Sequence, residues 1–396
     1  MTYLISLILL LLPTYLIRFS VFGIPSTVLE VLIYTVFLYG LWQARKAGFK
    51  PIPFLILIVP ALMIVALIIS TIIAPDKRVA LGELKGFFID PFIFLWLLWQ
   101  FAQKEKLLLF FGSLSISGLF VAIHTIIQKI LGHVTPDGRV IGIFGYSPNY
   151  LALFLMPISV LVFGLGWHFL AKKKVLWSLG ADLTFILIGL AIYFSGSRGG
   201  ILALVFGIGI FFLAKYWYWI RERFSSKVIV IVLILVAIYT AWTFIRPDFS
   251  ASPDSGRVAS SNNVRFQIWQ TSWELGITKG VKNAILGVGL GNFQNAFDKL
   301  TKDRANFPEY ITPMALTPHN IFLMFWLSTG ILGLLSLLGL FALFIRQALK
   351  HLSAEYAPII LSVFSSIIIY GLVEASIWKN DLSIIFFFFW GIVWLL

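Results

Sequence analysis

The chain has no cysteine, and only 12% of its 396 residues are charged. The first absence rules out disulfides and thiolate metal sites. The second, beside 60% hydrophobic residues, rules out a soluble domain. Acidic residues are the scarcer charge, 17 Asp and Glu against 30 Lys and Arg, and no two aspartates form a DD or DxD pair. Nothing in the sequence therefore calls for a divalent metal. The five histidines are scattered, with no helical pair at zinc-ligand spacing. Apolar and polar residues do not alternate, which excludes a β-barrel. A basic n-region and a small-residue cleavage site are both missing around Leu4–Ile17, so this stretch reads as a retained first span rather than a removed signal. No internal repeat is visible, which weighs against an inverted-repeat transporter.

What is present is a series of apolar runs longer than about 18 residues. The chain reads as an all-α polytopic membrane protein with about twelve transmembrane helices. They fall at roughly 2–22, 26–43, 52–74, 86–102, 107–131, 149–170, 176–194, 199–219, 227–246, 318–346, 357–376 and 380–396. In such a protein a net charge of +13 sets topology and meets lipid headgroups, so it does not argue for nucleic acid. Lys and Arg collect in the turns after even-numbered spans: Arg45, Lys46 and Lys50; Lys104 and Lys106; Lys172–Lys174; Lys215, Arg221, Arg223 and Lys227; Arg346 and Lys350. Lys77, Arg78 and Lys85 spoil a clean split. The positive-inside rule then places both termini in the cytoplasm. The chain divides into spans one to nine (1–246), one long extracytoplasmic loop (247–317) and spans ten to twelve (318–396). Within the loop, Val264–Gly276 and Asn292–Leu300 carry apolar residues at helical spacing and read as interfacial helices.

The distinctive polar residues sort to the outer side. Arg139 and Asn149 sit in GRVIGIFGYSPNY, Arg198 in SGSRGG, Arg265 and Glu274 in the long loop, and His319 and Asn320 in TPHNIF. Glu374, Lys379 and Asp381 occupy the last outer turn. A single arginine at a helix end is explained by snorkelling to lipid phosphate. Several converging on one face suit a diphosphate, because guanidinium groups fork onto phosphate oxygens and stay ionised. Gly199 and Gly200 would let the backbone approach a ligand or a neighbouring helix. His319 is the candidate general base, since an unperturbed imidazole titrates near neutrality; its alternative role is to cap or pack at a helix end. GVGLG (287–291) has no preceding strand and no βαβ surroundings, so it reads as a turn rather than a dinucleotide loop.

With these pieces in place, the chain resembles the O-antigen ligase and polymerase superfamily of bacterial envelope glycan enzymes. The resemblance rests on GRVIGIFGYSPNYLA (138–152), SGSRGG (195–200), NVRFQIWQTSWE with GVGLGNF (263–274, 287–293), and PHNIFLMFWLSTGILGL (318–334). It implies a GT-C-like, metal-independent, inverting glycosyltransferase of the inner membrane that needs no cofactor. Its donor would be a glycan on undecaprenyl diphosphate and its acceptor a hydroxyl of lipid A–core or another glycan, joined on the outer side. Carried over, Arg198 and Arg265 would hold the diphosphate, with Arg139 as a third member. Asn149, Gly199, Asn320 and Glu274 would contribute to substrate binding, and His319 would orient or deprotonate the acceptor or hold the diphosphate.

Ligase, polymerase and protein O-oligosaccharyltransferase share these motifs. The SRGG and HN pairing leans towards the ligase. A lipid-linked glycan transporter is the alternative from another class, but it would place charges near the bilayer midplane rather than at one face.

Overall fold

The computed structural model describes residues 1–21, 24–145, 147–223, 261–277, 280–304 and 315–396. The expected ninth span, 227–246, and residues 247–260, 278–279 and 305–314 of the expected outer loop lie outside the described residues. What is described is almost wholly helical, with one short antiparallel pair, β1 (Arg18–Val21) and β2 (Ile24–Thr27).

Six described helices are long and apolar enough to cross a membrane. They are α3 (Phe54–Ile73), α6 (Leu107–Ile130, extended at its start by a turn from Lys104), α7 (Pro148–Ala171), α8 (Val175–Phe194), α9 (Arg198–Lys215) and α14 (Ile321–Lys350). Shorter apolar helices, α15 (Ala357–Gly371) and α16 (Asn380–Ile392), join them. The chain is a multi-pass membrane protein. The expected first span is not one straight helix. α1 (Thr2–Leu10) gives way to a 3-10 turn over Leu12–Leu16, with Pro13 in its first turn, and then to β1. Proline lacks the amide that would continue the α-helical ladder. α2 (Val28–Ala47) follows, opened by a capping box in which Thr27 and Glu30 exchange side-chain and backbone hydrogen bonds.

α7 is apolar all round and is buried along most of its length, whereas α8 and α9 are mostly exposed to their surroundings. A helix apolar on every face belongs inside, and α6, α8, α9 and α15 pack around it. α16 fills a second part of the core: Phe386–Phe389 and Trp390 are fully enclosed, and the Trp390 indole donates to Leu340 O at 3.0 Å.

The basic residues that break the charge pattern have local partners. Lys77, at the start of α4 (Lys77–Leu84), donates to carbonyls at the C-terminus of α3, including Ala74 O at 2.7 Å. A cation there is favoured by the helix dipole. Lys85 pairs with Glu30 at 2.9 Å. One π-turn over Lys85–Ile89 then leads into α5 (Asp90–Phe101), which stands where the fourth span was expected.

The described part of the expected loop forms α11 (Ser261–Ile277), α12 (Val281–Leu286) and α13 (Phe293–Thr301), following the short α10 (Trp217–Arg223). α11 is less one-sided than its spacing suggested. Ile268 and Leu275 are buried, but Phe266 and Trp273 are 44% and 57% exposed. Gly287, Gly289 and Gly291 all have positive φ and form the turn between α12 and α13. That turn docks on a break in α14. Gly330 has φ 72° and ψ −173°, open in practice to glycine alone. The carbonyls freed by the break are taken up: Val288 N donates to Leu327 O at 2.6 Å, and the Ser70 hydroxyl donates to Ser328 O. Irregular backbone at membrane depth persists only when its polar groups are satisfied within the protein in this way.

Candidate functional site

Five helix ends meet at one end of the bundle: the N-termini of α7, α9, α14 and α16, and the C-terminus of α15. Three of them are set by side-chain caps. Ser147 accepts from Tyr150 N and opens α7, with Pro148 at its first position. Ser197 accepts from Gly200 N and opens α9, placing Arg198 at its first residue. Asn320 accepts from Phe322 N and Leu323 N and opens α14. Its amide also donates to Leu372 O at 3.0 Å, tying α14 to the end of α15.

Glu374, three residues after α15, is the centre of the cluster. Its carboxylate accepts from Asn149 Nδ2 at 2.7 Å and from Arg265 Nη2 at 3.0 Å on one oxygen. The other oxygen lies 2.8 Å from His319 Nδ1. The side chain is 6% exposed, Arg265 16% and His319 31%. Burial alone raises the Glu374 carboxyl, but the charges and hydrogen bonds of His319 and Arg265 outweigh it and hold its pKa below the ordinary glutamate value. It is therefore ionised at neutral pH, and a carboxylate only accepts. His319 Nδ1 must then carry a proton and donate; in the neutral tautomer that keeps this bond, Nε2 is the acceptor.

His319 is held from its backbone as well. It has φ 46°, rare for a residue with a side chain, and its carbonyl accepts from the Trp269 indole at 3.3 Å. A strained backbone persists where its surroundings over-determine it. Here α11 contributes both Trp269 to the His319 carbonyl and Arg265 to Glu374.

A second arm connects the SGSRGG turn to this centre. Ser197 Oγ and the Tyr370 hydroxyl are 2.6 Å apart, and Tyr370 donates to the Asn149 carbonyl at 3.3 Å. Gly199 faces Tyr370 and Val373, and Gly200 faces Ala152, so both glycines let α9 close on its neighbouring helices. Arg139 lies across the same turn: its side-chain stem covers Gly196, Val140 N donates to Phe194 O at 3.0 Å, and its guanidinium pairs with Asp137 at 2.6 Å. Arg139 and the exposed Arg198 thus flank one turn.

Of the residues singled out from the sequence, His319, Arg265 and Asn149 converge on one carboxylate. Arg139, Arg198 and Gly199 sit on the adjoining turn, and Asn320 acts as a cap. Glu274 stands elsewhere, in a forked pair with Arg304, 2.8 Å on one arm. From the sequence, Glu374 belongs to the outer face but has no assigned role. Its signal was its place: an acid closing an apolar helix on the face that carries the arginines.

A family model described as O-Antigen ligase matches residues 183–338. An O-antigen ligase of Salmonella typhimurium (strain LT2) is 24% identical over 310 residues, 72% of this chain and 69% of that protein. Both support the resemblance to the O-antigen ligase superfamily. The matched stretch contains Arg198, Arg265, His319 and Asn320; Arg139, Asn149 and Glu374 lie outside it.

Proposed function

We propose that this chain is an O-antigen ligase-like glycosyltransferase of lipopolysaccharide biosynthesis. It moves a glycan from an undecaprenyl diphosphate carrier to a hydroxyl of lipid A–core or a similar acceptor on the outer face of the inner membrane. The observation that carries this reading is the Glu374 carboxylate holding both His319 and Arg265.

In this reading His319 Nε2 takes the proton of the acceptor hydroxyl. The acceptor oxygen forms a bond to the anomeric carbon, and the bond from that carbon to the diphosphate oxygen breaks. The electron pair leaves with the diphosphate. A single displacement inverts the anomeric centre. Glu374 orients the imidazole and offsets the imidazolium that forms, as an acid paired with a histidine base does. Diphosphate is already a good leaving group, so fixed positive charge matters more than an added acid. Arg198 and Arg265 supply that charge, with Arg139 beside Arg198. Asn149 fixes Glu374 from the third side.

The test is transfer by purified protein in liposomes containing an undecaprenyl diphosphate-linked repeat and lipid A–core. Glycosylated lipid A–core is expected, and His319→Ala and Arg265→Ala are each expected to abolish it while inserting normally. A ladder of longer lipid-linked glycans without acceptor labelling would reassign the protein as a polymerase. Near-normal transfer by either variant would remove that residue from the mechanism.

A further inference from the structure

The end of the bundle opposite Glu374 carries a groove that the transfer reaction does not use. Its volume is about 650 Å³, and it lies between the first halves of α6 and α8 and the second half of α7. Val162 and Leu165 of α7 are buried and form its floor. Its rims are exposed, Ile116 by 58% on α6 and Leu176 by 81% on α8. Gly112 and Gly180 both line it, and a Cβ built on either would meet nothing within 4 Å. The space is therefore open at two points where the chain has no side chain to fill it.

The groove has a direction. Lys174 lines it at the start of α8, beside Trp177. From Lys174 to Thr184, the deepest α8 residue of the lining, is ten residues, or about 15 Å at 1.5 Å per residue. That is about half of a ~30 Å hydrocarbon core, the depth of one leaflet. A cation and an indole at the mouth match the headgroup level, where anionic lipids attract Lys and where Trp concentrates. Lys172 next door is already paired with Glu355 at 2.7 Å. Asp182, the acid of this part of α8, turns to the other side, against Gly166 of α7 and near Ser178.

We infer that this groove is a binding site for one anionic glycerophospholipid of the leaflet opposite the Glu374 end, its acyl chain between α6 and α8 and its phosphate at Lys174. The carrier lipid of the donor is not the occupant, because its diphosphate end belongs at the other face. The bound lipid would brace α7 and α8, whose far ends carry Asn149 and lead into Ser195–Arg198.

The test is native mass spectrometry of the purified full chain with phosphatidylglycerol and phosphatidylcholine of identical acyl chains at equal concentration, alongside thermal unfolding with each lipid. The wild type is expected to retain one phosphatidylglycerol in preference and to gain more in Tm from it. Lys174→Gln is expected to lose the preference, and Gly180→Phe to lose the retained lipid; Gly112→Leu fills the groove from the facing helix should Gly180→Phe fail to fold. Equal retention of both lipids by the wild type overturns the proposal. So does a preference that survives Lys174→Gln or survives filling. None of these readouts depends on glycan transfer.

Discussion

Replacing Glu374 by glutamine tests the centre of the site with almost no change of shape. The carboxylate accepts from Arg265 at 3.0 Å, Asn149 at 2.7 Å and His319 at 2.8 Å, so all three of these neighbours are donors. Glutamine keeps one acceptor oxygen and replaces the other by a donating amide. If the oxygen stays with Arg265 and Asn149, the amide meets His319 Nδ1. That nitrogen must then accept, and the ring proton moves to Nε2, the atom assigned to take the acceptor proton. If the amide turns the other way, two donors face Arg265 and Asn149. Either way the variant loses the base or loosens Arg265. Proton transfer of this kind contributes about 10²–10⁴-fold, and a fall of that size in kcat is expected. Leaving Arg265 without its charge partner costs stability too, about 2–4 kcal/mol given its partial burial. The assay is transfer in liposomes with kcat and KM for the donor measured separately, beside thermal unfolding. Adding Glu374→Gln to His319→Ala should cost little further activity, because both act through one pair. A folded Glu374→Gln protein with wild-type kcat, or a double variant with additive losses, would refute the dyad.

Three further outcomes follow from the same geometry. Glu374 has a lowered pKa when folded, so its stabilisation is complete above the ordinary glutamate value of 4.5 and is lost as pH falls through the lowered value. The Tm gap between wild type and Glu374→Gln should therefore close in acid; a gap constant across pH would contradict this. Gly330→Ala must adopt φ 72° and press on Ile285 and Leu286, so a loss of about 1–3 kcal/mol from the backbone alone is expected in unfolding measurements. A neutral Gly330→Ala would mean that the break in α14 is not fixed. Transfer should persist in EDTA; loss of activity restored by a divalent ion would sink the metal-free mechanism.

The membrane character and the placing of polar residues at one end of the bundle were legible in the sequence, because composition and run length report burial in lipid directly. The breaks were not. Gly330 sits in STGILGL, where an isolated glycine is compatible with a continuous helix, and only the docking of Gly287–Gly291 against it requires the break. The first span looked continuous because Leu4–Ile17 is apolar throughout, while Pro13 and the pairing of Arg18–Val21 with Ile24–Thr27 redirect the chain.

The site shows the same division between what local spacing reports and what only tertiary contact supplies. Glu374 is 109 residues from Arg265 and 55 from His319, and no periodicity links such positions. It also stands in a turn with Lys379 and Asp381, where an acid has an ordinary explanation as a neighbour of a lysine. Glu274 is the converse case. It follows Arg265 by nine residues on one helix, which at 3.6 residues per turn is two and a half turns, the opposite face, about 13 Å further along the axis. Helical geometry alone thus separates Glu274 from a site built around Arg265, and its forked partner is Arg304. Of the acids placed on the outer face, the one that can share a site with Arg265 and His319 comes from a different helix end, and Glu374 fills that place.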